Sequence, residues 1–97
     1  AYAPASLAEE GVCNCDSGLE CYKQAITYKH DGKKSLARTC LAQSCQLGDS
    51  YGCNLMGDMY QFSEIGVTQD LAKALEYYKK ACSMGERIAC SSASNVE

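Results

Sequence analysis

The residues with the most distinctive chemistry in this sequence are its cysteines, of which there are eight among 97 residues. An even and dense set of cysteines in a short chain is typical of disulfides formed in an oxidising compartment. Random placement would give ~0.5 pairs at any one separation of this kind. Three separate pairs nevertheless share a gap of seven residues, and they are Cys13 with Cys21, Cys45 with Cys53, and Cys82 with Cys90. We predict from this spacing that each of these pairs is a disulfide.

The two remaining cysteines are Cys15 and Cys40, and by elimination we predict a fourth disulfide between them. The main competing link is Cys40 with Cys45, but a five-residue offset places these side chains ~140° apart around one helix, so the link would require that helix to unwind. Because a chain of this length buries only a thin core, we expect the four bridges to contribute much of its stability.

The same thiols could instead bind a metal ion. Cys13, Cys15 and Cys21 have a spacing that could hold a soft metal such as Cu(I). Structural metal sites, however, prefer closely spaced thiolates supported by histidine. The sequence contains no Cys-x-x-Cys, and its single histidine is His30. We therefore expect no metal and no cofactor, and a thiolate metal carrier is the lesser alternative.

Patterns that supply a nucleophile or a general base are missing from the sequence. No serine has a lysine three residues later, as a penicillin-recognising serine enzyme requires, and in the nearest case, Ser35-Leu-Ala-Arg38, the arginine is a poor base. The motifs HExxH, GxSxG, GxGxxG and the P-loop are also absent. A Ser–His–Asp triad would have to use His30 beside Asp31, in a short polar turn that is more simply interpreted as solvated. We therefore predict that the protein is not an enzyme.

Charge and hydropathy argue against two further classes of partner. The chain has 9 basic and 12 acidic residues, a net charge of −3, whereas nucleic-acid binding normally leaves a basic footprint. No apolar run approaches the roughly 20 residues of a membrane span. The first residues, Ala1-Tyr2-Ala3-Pro4, lack a methionine, which fits a secreted or periplasmic protein in its mature form with the signal peptide removed. We expect neither nucleic acid nor a membrane span.

The cysteine spacing is part of a longer internal repeat. Residues 45–53 and residues 82–90 both follow the pattern Cys-x-apolar-Gly-acid-x-apolar-small-Cys, and the two stretches lie 37 residues apart. A shift of 32 residues relates the first unit to the next, placing Cys21 on Cys53 and Tyr28 on Tyr60. The shift of 32 residues is shorter than the separation of 37 because the turn of the first unit, at residues 29–33, is shorter than the turn of the second, at residues 63–69.

Within each unit the apolar residues recur with the period of a helix. Asp70 is expected to cap a helix that ends at Gly85. The predicted buried face of this helix consists of Leu71, Ala74, Leu75, Tyr78, Ala81 and Cys82. Similar stripes predict helices over about residues 20–29, 36–45 and 50–62, and a partial unit over residues 87–94. No strand alternation competes with them. The sequence therefore predicts a repeated helix–turn–helix structure.

Small and aromatic residues at helical spacing are best explained by packing. We expect close helix–helix contacts at Ala25, Ala37, Gly57 and Ala74. We expect core or boundary packing for Tyr28, Tyr60, Tyr77 and Tyr78. An exposed aromatic can instead anchor a bound peptide, and Tyr51 and Phe62 are further candidates for that role.

The stretch Gly57-Asp-Met-Tyr60, followed by residues 66–85 with Asp70, Ala74, Tyr78 and Gly85, resembles a Sel1-like repeat (SLR), a relative of the tetratricopeptide repeat. The match is strong over residues 53–90 and weaker over residues 21–48. The cysteine gap across the repeat boundary resembles the Helicobacter cysteine-rich proteins, a secreted SLR group. This resemblance implies an α/α solenoid that presents a concave face for protein or peptide binding. It also implies an alternative function, weak β-lactam binding or hydrolysis, which some members of that group have been assigned.

We therefore predict a single all-α domain, an α/α solenoid of about two and a half SLR units. Its predicted parts are an N-terminal segment (residues 1–12), a degenerate repeat unit (13–48), a well-matched unit (49–85) and a partial C-terminal capping helix (86–97). The predicted function is non-catalytic binding of another protein or peptide outside the cytoplasm, in an interaction, inhibitor, immunity or assembly role.

The predicted binding residues lie on the first helix of each unit, which lines the concave surface in α/α repeats of this type. In the second unit they are Asn54, Asp58 and Gln61, which are expected to turn away from the stripe of Cys53, Met56 and Tyr60. In the first unit the corresponding residues are Tyr22, Ile26 and Lys29. An apolar pair such as Tyr22 and Ile26 on an exposed face is typical of a binding surface. Alternatively, the segment 1–12 folds over these two residues as a cap.

Overall fold

In the computed structural model, which describes residues 13–97, the chain folds into five α-helices and no strand. The helices are α1 (Gly18–His30), α2 (Lys34–Gln46), α3 (Ser50–Gln61), α4 (Leu71–Ser83) and α5 (Arg87–Val96). The predicted all-α architecture is confirmed. The segment 1–12, and with it the suggestion that this segment caps Tyr22 and Ile26, lies outside the described residues.

Each helix packs against its neighbours in the sequence, and α1 also contacts α3. Short connections favour antiparallel neighbours, so α1 with α2 and α3 with α4 form two helix pairs, and α5 begins a third. We call α1, α3 and α5 the first helices of their pairs. This stacking brings successive first helices to one side of the molecule.

Local signals set where most helices begin and end. The side chain of Asp70 accepts a hydrogen bond from the backbone N–H of Lys73, so this residue caps α4 as predicted. Gly85 follows α4 with a φ of +100°, a left-handed conformation that glycine adopts without strain. The backbone N–H of Glu86 then donates to the carbonyl of Ala81, which closes the last turn of the helix.

The core divides into two clusters of mostly small side chains. The first lies between α1, α2 and α3 and consists of Cys13, Ala25, Ala37, Cys40, Leu41, Met56, Met59 and Ile65. The second lies between α3, α4 and α5 and consists of Cys45, Cys53, Ala74, Tyr78, Ala81, Ala89 and Ala93. Tyr60 and Tyr77 are partly buried against both clusters, with their rings stacked at a centroid separation of 6.0 Å. The predicted packing role of these tyrosines is confirmed.

Tyr78 is the largest fully buried side chain among residues 13–97, and its ring fits between the helices because residue 57 is a glycine. A Cβ atom at Gly57 would lie 2.6 Å from the Tyr78 ring, so only glycine lets α3 approach α4 this closely. The Tyr78 hydroxyl donates a hydrogen bond to the Asp58 carboxylate, and the side-chain amide of Gln61 lies 2.7 Å from the same hydroxyl. Burial and the neighbouring Asp58 raise the pKa of Tyr78 well above its ordinary value of 10.0.

Two of the four disulfides are those that the cysteine spacing predicted. Cys45–Cys53 and Cys82–Cys90 each join the end of one helix pair to the first helix of the next, with Cα atoms 4.5 and 4.7 Å apart. Because the bridges cross the boundary between pairs, they fix neighbouring pairs relative to one another.

The predicted pairs Cys13–Cys21 and Cys15–Cys40 are wrong. The structure pairs Cys13 with Cys40 and Cys15 with Cys21. Cys45 lies in the last turn of α2, whereas Cys13 precedes α1 in non-helical chain, so the same seven-residue gap has a different geometry. Cys13 is buried against α2, with its sulfur close to the carbonyl of Leu36, and this position brings it to Cys40.

All eight cysteines are therefore consumed by disulfides, and none is free. Metal binding by these residues requires thiolates. The suggested Cu(I) site at Cys13, Cys15 and Cys21 and the alternative of a thiolate metal carrier are both wrong for this oxidised chain.

We expect the bridge that closes the longer loop to contribute more stability. Cys13–Cys40 spans 27 residues and Cys15–Cys21 spans 6, so the chain-entropy model assigns them about 3.5 and about 2.2 kcal/mol. The double variant Cys13→Ala/Cys40→Ala should therefore melt about 5 °C below Cys15→Ala/Cys21→Ala. Far-UV circular dichroism melts of both variants measure this difference. Equal melting temperatures, or the reverse order, would contradict the expected ranking.

We also expect Tyr78→Phe to destabilise the protein by about 1 kcal/mol, because it removes the donor to Asp58. A raised pKa in the folded state means that this tyrosine stabilises the fold below the unfolded pKa and loses that contribution as the pH rises through about 10 and beyond. Urea unfolding at about pH 8 and about pH 10.5 should therefore show a smaller loss of stability in Tyr78→Phe than in the wild type. Tyr51→Phe, at an exposed ring, is the control. A wild-type pH slope in Tyr78→Phe would count against this role for Tyr78.

Candidate peptide-binding surface

The start of α1 lies directly against the turn that leads into α3. A Cβ atom at Gly18 would be 2.8 Å from the Cβ atom of Asp49, so the glycine permits this approach. The Asp49 side chain accepts hydrogen bonds from the Gly52 backbone N–H and the Ser44 hydroxyl, and this fixes the first turn of α3. The two first helices therefore begin side by side.

This arrangement brings aromatic rings of α1 and α3 into contact. The rings of Tyr22 and Tyr51 have centroids 6.0 Å apart and are tilted by 40°. Leu19, one turn before Tyr22, is 48% exposed, and Tyr51 is 55% exposed. Ile26, one turn after Tyr22, is half-buried. We call Leu19, Tyr22, Ile26 and Tyr51 the first-helix patch.

The structure separates the predicted binding residues of α1. Tyr22 and Ile26 are half-buried rather than exposed as expected, and Tyr22 packs against the first core cluster, so their binding role stays a prediction. Lys29 is exposed in the last turn of α1, where a positive charge also favours the helix dipole. It lies two turns away from Tyr22, near the other end of the helix.

Asp58 and Gln61 were expected to turn away from the stripe of Cys53, Met56 and Tyr60 and to face a partner, but the structure turns them to the neighbouring helix instead. Both side chains contact the Tyr78 hydroxyl at the interface of α3 and α4. Asn54 is half-buried, and its side-chain oxygen is buried without a donor among residues 13–97. The polar residues of α3 therefore serve the interior more than the surface.

Leu19 was not among the predicted binding residues, and Tyr51 was only one of several aromatic candidates. The 32-residue shift places Leu19 on Tyr51, so an apolar residue recurs at the second position of successive first helices. That recurrence was the signal that could have found both. Phe62, the other aromatic candidate, is 59% exposed but lies at the C-terminal end of α3, about 16 Å along the helix from Tyr51.

The comparisons with known proteins agree with this architecture. Residues 50–86, which comprise α3, α4 and the turn after α4, match the Sel1 repeat. No curated protein and no solved structure matches the chain, so the resemblance to the Helicobacter cysteine-rich proteins stays a prediction. Over residues 13–97, no helix has the length and apolar character needed to cross a bilayer. The chain carries a Sel1 repeat, a structural unit that generally mediates protein–protein interaction and is typically non-catalytic.

Proposed function

We propose that this protein is a non-catalytic module that binds another protein or a peptide through its first-helix patch. The observation that carries the proposal is the contact of Tyr22 with Tyr51, since it joins two partly exposed rings from different helices into one surface. Single exposed apolar residues are common on proteins, whereas a contiguous group marks an interaction site.

The chemistry of the patch suits recognition of a protein or peptide. Tyrosine supplies a large apolar area with a polar end and few rotatable bonds, and it is enriched among residues that dominate binding energy. Tyr22 is held on one side by the core cluster and on the other by Tyr51. Such a side chain loses little conformational entropy when a partner covers it.

The four disulfides support a location outside the cytoplasm, in the periplasm or as a secreted protein. Structural disulfides persist in oxidising compartments and are rare where thiols are kept reduced. A cross-linked frame also holds α1 and α3 in one relative position before a partner arrives. An inhibitor, an immunity protein and an assembly factor would all use a rigid surface of this kind.

Selection of random peptides displayed on phage, with the purified protein as bait, tests the proposal without a known partner. Enriched peptides should bind the wild type and lose about tenfold or more in affinity with Tyr51→Ser, because a central aromatic anchor typically contributes more than about 1.4 kcal/mol. Tyr22→Ser/Ile26→Ser should also weaken binding, but because Tyr22 packs against the first core cluster this variant should melt below the wild type as well, so the exposed Tyr51 is the cleaner test. Fluorescence anisotropy with labelled peptides measures these affinities.

The chain offers two matched controls. Phe62→Ser removes an aromatic of similar exposure from the residue that directly follows α3, the helix of Tyr51. Leu71→Ser removes a leucine that is 47% exposed, where Leu19 is 48% exposed. Both controls should bind the enriched peptides as the wild type does, whereas Leu19→Ser should bind them more weakly. Equal binding by Tyr51→Ser and the wild type would refute the proposed site.

A further inference from the structure

We infer that the turn between α1 and α2 is a cleavage site for trypsin-like proteases, and that cleavage there yields a two-chain form held together by Cys13–Cys40. The inference is independent of the first-helix patch. It rests on the exposure of the turn, on the way α2 begins, and on the position of one disulfide.

The turn presents two adjacent lysines, Lys33 and Lys34, in an exposed stretch of chain. Every residue from 29 to 35 is exposed, so none of these side chains is part of the core. The contacts that hold the turn are at its surface: the Lys33 ammonium lies over the Tyr28 ring, 5.9 Å from its centroid, and the Lys33 backbone N–H donates to the Tyr28 carbonyl. A trypsin-like protease binds its substrate as an extended strand with lysine or arginine before the cleaved bond. Exposed turns without buried side chains are where the chain can adopt that shape most easily.

The start of α2 is the weakest helix start among residues 13–97. The other four helices have an N-cap side chain that accepts a backbone hydrogen bond, from Ser17, Asp49, Asp70 and Glu86. The N-cap of α2 is Lys33, whose side chain accepts none. Lys33 and Lys34 also place positive charge at the positive end of the helix dipole. The first turn of α2 is therefore the one that opens most readily.

A second pair of adjacent lysines shows why sequence alone does not define the site. Lys79 and Lys80 are exposed as well, but they lie inside α4 between Tyr78 and Ala81, both of which are fully buried. A protease could extend this stretch only by withdrawing those two side chains from the core. We therefore expect cleavage at the first pair and not at the second.

Cleavage at the turn leaves the molecule covalently intact. Water adds across the Lys33–Lys34 or the Lys34–Ser35 peptide bond, the C–N bond breaks, and a new carboxylate and a new ammonium group remain. Cys13–Cys40 joins the two sides of the cut, whereas Cys15–Cys21 lies before it and the other two bridges lie after it. The helix pair of α1 and α2 also keeps its buried contacts, because the cut removes no core residue.

Limited digestion of the full chain with trypsin tests the inference. The first cut should follow Lys33 or Lys34 and should be about tenfold faster than any other. Non-reducing electrophoresis should show one species and reducing electrophoresis two, with mass spectrometry locating the cut. The two-chain form should keep its helical circular dichroism signal. A first cut elsewhere, or loss of that signal after the cut, would overturn the inference.

Two double variants provide matched arms for this experiment. Lys33→Gln/Lys34→Gln should slow the first cut about tenfold or more, while Lys79→Gln/Lys80→Gln should be cut at the wild-type rate. Both remove two charges from exposed positions. The second variant also removes the ion pair of Lys79 with Glu97, at 3.3 Å, but an exposed pair contributes little stability, so both variants should fold, which melting curves verify. In Cys13→Ala/Cys40→Ala, denaturing electrophoresis should show two fragments after the cut even without reductant. Equal cutting rates in the two lysine variants would refute the assignment.

Discussion

The constraint on which this structure depends is the small size of its core. Among residues 13–97, most of the buried apolar residues are alanine or cysteine, and the larger ones are Leu41, Met56, Met59, Ile65 and Tyr78. Small side chains let the helices approach closely, but they bury little apolar area. Cross-links between successive helix pairs therefore stabilise what packing alone would leave marginal. The same cross-links give α1 and α3 the fixed relation that joins Tyr22 to Tyr51 in one surface.

Helices and their ends were largely predictable, because they follow from local chemistry. Asp70 caps α4 through its own side chain, and Gly85 ends it through a backbone conformation that other residues adopt at a cost. The disulfides of the two inner boundaries were predictable for a related reason. At Cys45–Cys53 and Cys82–Cys90, a helix end, a glycine turn and a helix start set the geometry of the gap.

The errors arose where the repeat is incomplete or where a side chain meets a distant partner. Cys13 has the same gap to Cys21 as Cys45 has to Cys53, but it lies in non-helical chain, so periodicity did not fix its direction. Asp58 occupies an outward position by helical period, yet it reaches Tyr78, twenty residues later in the sequence. A side chain can therefore contact a neighbouring helix even where a helical projection places its residue on the surface.

The two helix pairs differ in how the connection between their helices is anchored to the rest of the molecule. The loop from α3 to α4 inserts Ile65 into the first core cluster, and Arg38 of α2 donates a hydrogen bond to its carbonyl at 2.9 Å. That loop is therefore part of the packing. The shorter turn from α1 to α2 contributes no buried side chain, and Cys13–Cys40 supplies the link between those helices instead. Because a covalent bond distant from the turn holds the pair, the turn itself is free to vary or to open without separating α1 from the rest of the chain.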